Sequence, residues 1–396
     1  MNSSSPSSKY KLNIYKIYVL YFIMGIHTVR GVYIPYMMDW GGLTFFQIMI
    51  LQSYFMFVIF ILEIPSGAIA DRIGRNIALM ISALSVACAA FFYSIVPIFF
   101  LFFVGETFWA FSIALFSGTE EAFLFNTLKT MDQEKKLPTI LGRTQTINLA
   151  ALTISAPLGS IIAEYISLQF TMTSLGLIYL SAFLVSLTLK EPKIEGEKQA
   201  QHYLAIIKIG FQELKKNGVL RKLCYERIII SYLTFFLFWT YQVYLGEVNI
   251  PILWFGFIAA LMNIVNISFT IFIPWMLKHV KNKLWFLIGI DMTIGFSFIL
   301  LGFATLPFLG IILLLLIRGF GNSRNLIFVN GINRQIESEN RATVLSTVNM
   351  FGSFLMAIAF PFIGLIVELN PFLVFIILGL VVLFFTIVKR IKNEDL

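Results

Sequence analysis

Five ionisable residues fall inside long apolar stretches of the sequence: His27, Arg30, Glu106, Asp291 and Arg318. A charge near the centre of a bilayer costs about 2.5–3.5 kcal/mol even on the gentler scales, so each of these groups needs a partner or a function. A carboxylate that takes up and releases a proton, or a guanidinium that grips an anionic group, is the chemistry such residues offer. A further feature is "ILEIPSGAIADRIGRN", Ile61 to Asn76, which sets Asp71, Arg72 and Arg75 directly after an apolar run. That cluster cannot sit in hydrocarbon and marks a water-facing turn.

The elements that must position these residues are membrane helices. The chain has 396 residues, of which 58% are hydrophobic and only 13% charged. Apolar runs near the ~20 residues that span a bilayer recur from end to end. Within lipid each segment must satisfy its own backbone, so runs of this length predict helices, not barrel strands. Punctuation by Gly, Pro and charge places twelve spans near 14–37, 44–65, 77–96, 98–127, 143–166, 170–189, 226–246, 252–277, 284–305, 308–330, 343–367 and 371–390. The polar start "MNSSSPSSKYKLNIYK" is followed by an apolar run without a small-residue cleavage site, which predicts a retained first span.

Charges sort by side. Lys9, Lys11, Lys16, Arg72, Arg75, Lys129, Lys135, Lys136, Lys278, Lys281, Lys283, Arg334, Arg341, Lys389, Arg390 and Lys392 fall on alternate connections, while the opposite ones carry Asp39, Glu164, Glu247 and Glu368. The positive-inside rule then puts both termini in the cytoplasm of a multi-pass protein of the plasma membrane. The polar stretch "KEPKIEGEKQAQ" from Lys190 divides six spans from six. The expected organisation is a tail over 1–13, a six-helix bundle over 14–190, a linker over 191–222, a second six-helix bundle over 223–390 and a tail over 391–396. "PLGSIIAEY" and "PFIGLIVEL" repeat the spacing of Pro157 to Glu164 at Pro361 to Glu368, a faint echo of duplicated halves. Within the linker, Leu204, Ile207, Phe211 and Leu214 share one helical face and Lys208, Lys215 and Lys216 lie elsewhere, which predicts a helix on lipid or on the protein's own surface.

The order G-x-x-x-D-R-x-G-R at Gly67, Asp71, Arg72, Gly74 and Arg75 strongly resembles the loop signature of the major facilitator superfamily. "EIPSG" from Glu63, "SGTEEAFLFNTL" from Ser117 and "NRATVLS" from Asn340 resemble segments of exporter-like members. The chain departs from the pattern at Asn126, where relatives often carry an acid, at "LKHVKNK" from Leu277, which lacks the Gly and Asp of the first-half loop, and at "SAPLGS" from Ser155, which matches the antiporter motif only in part. The resemblance implies two pseudo-symmetric six-helix bundles. It also implies a loop that latches them in each transport cycle, its glycines allowing a tight turn and close helix approach. Glu63, Glu120, Glu121, Arg143, Arg324 and Arg341 join the expected gate or latch. Because the family lines its cavity with the first, fourth, seventh and tenth helices, Arg30, Glu106 and His27 are expected on the substrate path, and Trp109, Trp239 and Tyr241 are expected to give it part of an apolar lining. Arg30 and Glu106 lie at one depth, on the order of 11–12 Å below the predicted outer ends of their spans. Pairing between them would serve either coupling or packing. Arg318 is the expected contact from the second half, and Asp291 is expected to face neighbouring helices more than the cavity.

Several function classes are set aside. The net charge of +8 is spread between apolar spans, as topology alone requires, so nucleic acid is not an expected partner. Cys88 and Cys224 form no disulfide framework and no zinc spacing occurs. The nucleotide signature G-x-x-x-x-G-K-[ST] is absent, and no Ser/His/Asp set lies at membrane depth, so neither a cofactor, a metal nor an enzyme is expected. What is expected is a monomeric secondary transporter working by alternating access, a proton-coupled efflux antiporter for a small amphiphilic molecule. The alternatives are a carrier holding a phosphate or organic anion between Arg30 and Arg318, and a non-transporting receptor or enzyme on the same fold.

Overall fold

The computed structural model describes residues 6–62, 65–192, 203–336, 341–388 and 391–395, and every regular element among them is helical. Among the described residues, eleven helical segments are long and apolar enough to cross a membrane, and one further apolar helix, Leu373–Ile387, is shorter. The chain forms two compact units, Met1–Leu43 with Tyr54–His202, and Thr44–Ser53 with Tyr203–Leu396. Glu63, Lys389 and Arg390, and the side chains of Lys9, Leu204, Ile207, Lys208 and Arg341, lie outside the described residues.

The first unit begins with α1 (Pro6–Gly25) and the short α2 (Tyr33–Pro35). It takes in the later turns of α3 (Phe45–Leu62), then α4 (Pro65–Ile73), α5 (Arg75–Ile95), α6 (Phe99–Phe116), α7 (Thr119–Lys129), α8 (Leu137–Tyr165) and α9 (Leu168–Ser186). Its core packs Ile17, Leu20 and Tyr21 of α1 against Leu79 and Ala83 of α5 and Phe123, Leu124 and Leu128 of α7. Ser167 accepts from the Phe170 N–H at 3.1 Å and so caps α9.

The second unit holds the first turns of α3 with α10 (Tyr203–Lys216), α11 (Gly218–Phe235), α12 (Leu237–Glu247), α13 (Ile252–His279), α14 (Lys283–Leu301), α15 (Pro307–Arg334), α16 (Arg341–Leu369) and α17 (Leu373–Ile387). Asn217 and Asn282 cap α11 and α14 with their side-chain oxygens. At the start of α3, Thr44 and Gln47 cap each other's backbone N–H groups, and the Glu368 carboxylate of α16 takes the Phe46 N–H at 2.9 Å. Helix α10 rests on α16, with the Phe211 and Phe351 rings 5.1 Å apart. Helices α8 and α16, which carry Pro157 and Pro361, are each 29 residues long.

Three expected spans are interrupted. The helix placed near 14–37 stops at Gly25 and resumes as a 3-10 turn at Arg30–Val32, α2 and a π-helical turn at Tyr36–Trp40. The helix placed near 98–127 divides at Gly118, whose φ of 74° belongs to the left-handed region and separates α6 from α7. The helix placed near 226–246 divides at Phe236 into α11 and α12. The expected turn at the Asp71 cluster is also corrected: Gly67, Asp71 and Arg72 lie on helix α4, and only Gly74, with φ of 98°, forms the turn. Gly67 has open space around it, so it marks no close helix approach.

Candidate functional site

The break in the first helix builds the polar interior of the first unit. Ending α1 at Gly25 frees carbonyls that would otherwise stay inside the helix, and in a membrane side chains must take them up. Asn148 donates to the Tyr21 carbonyl at 3.3 Å, the Tyr179 hydroxyl to Met24 at 3.0 Å and the Ser155 hydroxyl to Gly25 at 3.5 Å. Beyond the break, the His27 N–H donates to Ser155 at 3.0 Å and the Thr28 hydroxyl to the Thr171 carbonyl at 2.8 Å. Helix α8 can approach only because Gly159 faces the Thr28 carbonyl, where a Cβ would collide with backbone.

His27 therefore sits at the break, not on a continuous helix. Its Nε2 lies 3.0 Å from the Tyr179 hydroxyl, and its ring stacks on Trp109 with centroids 6.1 Å apart. Arg30 opens the 3-10 turn that follows. Glu106 of α6 is 2% exposed, and its Oε1 accepts from the Tyr33 hydroxyl at 3.5 Å. Tyr33 in turn lies 3.3 Å from the Tyr93 hydroxyl, and Tyr36 donates to the Tyr93 carbonyl at 2.6 Å. Gly105 is needed here, since a Cβ would strike the Tyr93 ring. The arrangement gives a buried carboxylate a phenolic neighbourhood, with hydroxyl groups in series.

The second unit holds a buried ionic cluster. Arg324 is 0% exposed, donates from Nε to Asp291 at 2.6 Å, from Nη1 to the Glu226 carbonyl at 3.0 Å and from Nη2 to the Glu226 carboxylate at 3.4 Å, and lies over the Phe328 ring. Arg324, expected at the gate or latch, has its side chain sealed between α11, α14 and α15. Asp291, also 0% exposed, is the partner of this arginine. One position further along the same two helices, Arg227 donates from Nε to Asn325 at 2.9 Å.

Arg227 and Arg318 both line a cavity of about 240 Å³ between α11, α15 and α16. Tyr241 lies within electrostatic reach of Arg318 and accepts from Gln242 at 3.0 Å, and Trp239 packs edge-on against Phe360.

Asp71 near the end of α4 pairs at 3.2 Å with Arg75, the first residue of α5, across the turn at Gly74, and Arg75 Nη1 reaches the Ala122 carbonyl of α7 at 3.5 Å. Sequence reasoning missed Glu191, which accepts from the Asn76 N–H at 2.7 Å at the start of α5. An acid at a helix N-terminus is favoured by its dipole, but nothing in the sequence joins positions so far apart. Glu120 and Glu121 occupy the first turn of α7. Arg143 lines a basic cleft with Lys11, Lys136 and Tyr15. Arg72 is exposed.

Long apolar helices in two units, with charged side chains held at mid-helix, fit a polytopic membrane protein. The sequence profile of the Major Facilitator Superfamily matches residues 17–333. The chain belongs to that superfamily and is a transporter, not an enzyme. A comparison with curated proteins gives no match. The fold is similar to that of the nucleoside transporter NupG, at 15% identity and a TM-score of 0.75, over 95% of this chain and 97% of that one. It is also similar to a D-xylose-proton symporter, at 12% identity and a TM-score of 0.71, over 98% and 99% of the two chains.

Proposed function

We propose that the chain is a secondary active transporter that works by alternating access, couples to protons through Glu106, and exports a small amphiphilic molecule. The observation that carries this reading is the buried Glu106 carboxylate with Tyr33 and Tyr93 about it. A proton carrier needs a carboxylate screened from bulk water yet joined to groups that can pass or receive a hydrogen bond. The proton coupling of the D-xylose-proton symporter is in keeping with this. Export rests on the likeness of the Glu63, Ser117 and Asn340 segments to exporter-like members. In this reading His27 and Trp109 border the solute path in the first unit and the Asp71–Arg75 pair belongs to the latch. The protein acts as a monomer in the plasma membrane, with both termini cytoplasmic.

The test begins with a thermal-shift screen of cations, anions and neutral solutes on purified protein, since a ligand that binds only the folded state raises its melting temperature. A hit is then followed in proteoliposomes under an imposed pH gradient. Uphill movement of the solute, opposite to the protons and without ATP, is the expected result. Movement with the protons would make the protein an importer, and no response to the gradient would overturn the coupling.

A second reading, a carrier of organic anions, is favoured by Arg318, which faces a cavity without a carboxylate among its lining residues.

A further inference from the structure

We propose that the second unit contains a binding subsite for the anionic head group, carboxylate or phosphate, of a small organic solute, and that Arg318 and Arg227 grip it. This rests on the anion-carrier reading for its role in transport, but the binding itself does not depend on transport.

The argument starts from charge. Among the described residues, the second unit's buried acids at mid-helix, Asp291 and Glu226, both direct their carboxylates at Arg324. Arg227 is held by the neutral amide of Asn325, and no ion pair or hydrogen bond among the described residues engages Arg318. Two guanidinium groups therefore face one cavity with no acid in its lining. Arg318 lies about 17 Å along α15 from its first residue, near the middle of the helix, where an uncompensated charge is costly. An anion entering the cavity would supply the missing counter-charge.

Shape and chemistry agree with this. The guanidinium fork matches a carboxylate or phosphate with paired hydrogen bonds, which an ammonium group cannot do. Asn322 and Asn349 add amide donors on α15 and α16, and Phe235 and Ile317 supply an apolar wall. At about 240 Å³, the cavity holds roughly eight waters' share of liquid volume, enough for a head group and a short apolar body but less than the ~300 Å³ at which sites for drug-sized ligands begin. The buried Arg324 cluster clamps α11 to α14 and α15 one residue away, so that Arg227 is presented on a fixed frame. The solute expected carries one carboxylate or phosphate group on a compact aromatic or aliphatic body.

Equilibrium binding on the full chain in phosphatidylcholine nanodiscs tests this, with benzoate, phenyl phosphate and inorganic phosphate as probes and benzyl alcohol as the neutral control. Benzoate or phenyl phosphate is expected to bind, and benzyl alcohol is not. Arg318→Gln should weaken binding by about ten- to a hundredfold, the range set by losing a hydrogen bond to a charged group, and Arg318→Lys should restore part of it. Arg227→Gln provides an independent variant, expected to lose affinity while its ligand-free melting temperature stays near the wild-type value. Binding of inorganic phosphate alone would assign the cavity to a free ion and overturn the organic solute. Competition by added phosphatidylglycerol would assign it to a lipid head group with the same result. Failure of both organic anions at millimolar concentration, or unchanged affinity in Arg318→Gln, would overturn the subsite while leaving proton-driven transport of a neutral solute intact.

Discussion

Arg324 is the largest fully buried side chain among the described residues, and its three polar contacts account for its tolerance at that depth. Removing Arg324 takes away the guanidinium that both buried carboxylates share. Arg324→Gln is expected to cost about 3–5 kcal/mol, read as a fall in melting temperature or failure to express, because Asp291 and Glu226 would then face each other. An unchanged melting temperature would contradict the buried-cluster assignment. The five ionisable residues inside apolar stretches were legible in the sequence because such groups are rare there. Their partners were less so. Arg324 sits near the end of an apolar run and reads as a boundary residue, while its acids lie on two other helices. Tyr33 and Tyr93 carry no distinguishing signal among 15 tyrosines, although they form the neighbourhood of Glu106.

At the scale of elements, the break in the first helix and the α4 segment decide the outcome. Gly159 lets α8 meet the Thr28 carbonyl, so Gly159→Ala should force the two apart and destabilise by about 1–3 kcal/mol, the usual cost of overpacking. Thermal unfolding in detergent would show this, and a neutral effect would mean that the break can relax. Asp71→Asn weakens one partly wet ion pair, worth no more than about 1 kcal/mol, so stability should hardly change. Transport by that variant should nonetheless fall if the pair acts in switching, and full activity in proteoliposomes would remove it from the latch. The apolar runs themselves were readable from periodicity and length. The break at Ile26 was not, because hydropathy is blind to a helix whose freed carbonyls are satisfied by Asn148, Ser155 and Tyr179 more than 100 positions away.

For the whole molecule, the division into two units and the paired 29-residue helices α8 and α16 accord with a duplicated architecture, which the echo of Pro157 and Pro361 had only hinted at. The placement of Thr44–Ser53 in the second unit was beyond sequence reasoning, since it depends on Ser53 meeting Ala357 and Phe46 meeting Glu368 across most of the chain. Orientation is testable directly: single cysteines at Asp39 and Glu368 should react with an impermeant thiol reagent from outside the cell, and cysteines at Arg75 and Lys136 should not. The reverse labelling would invert the proposed topology. The measurement closest to the central claim is uphill transport by Glu106→Gln in proteoliposomes under a pH gradient, with its melting temperature taken alongside. Proton coupling through Glu106 predicts a folded variant that binds solute and permits downhill exchange but no longer concentrates it; a folded variant that still concentrates solute against its gradient would contradict the account.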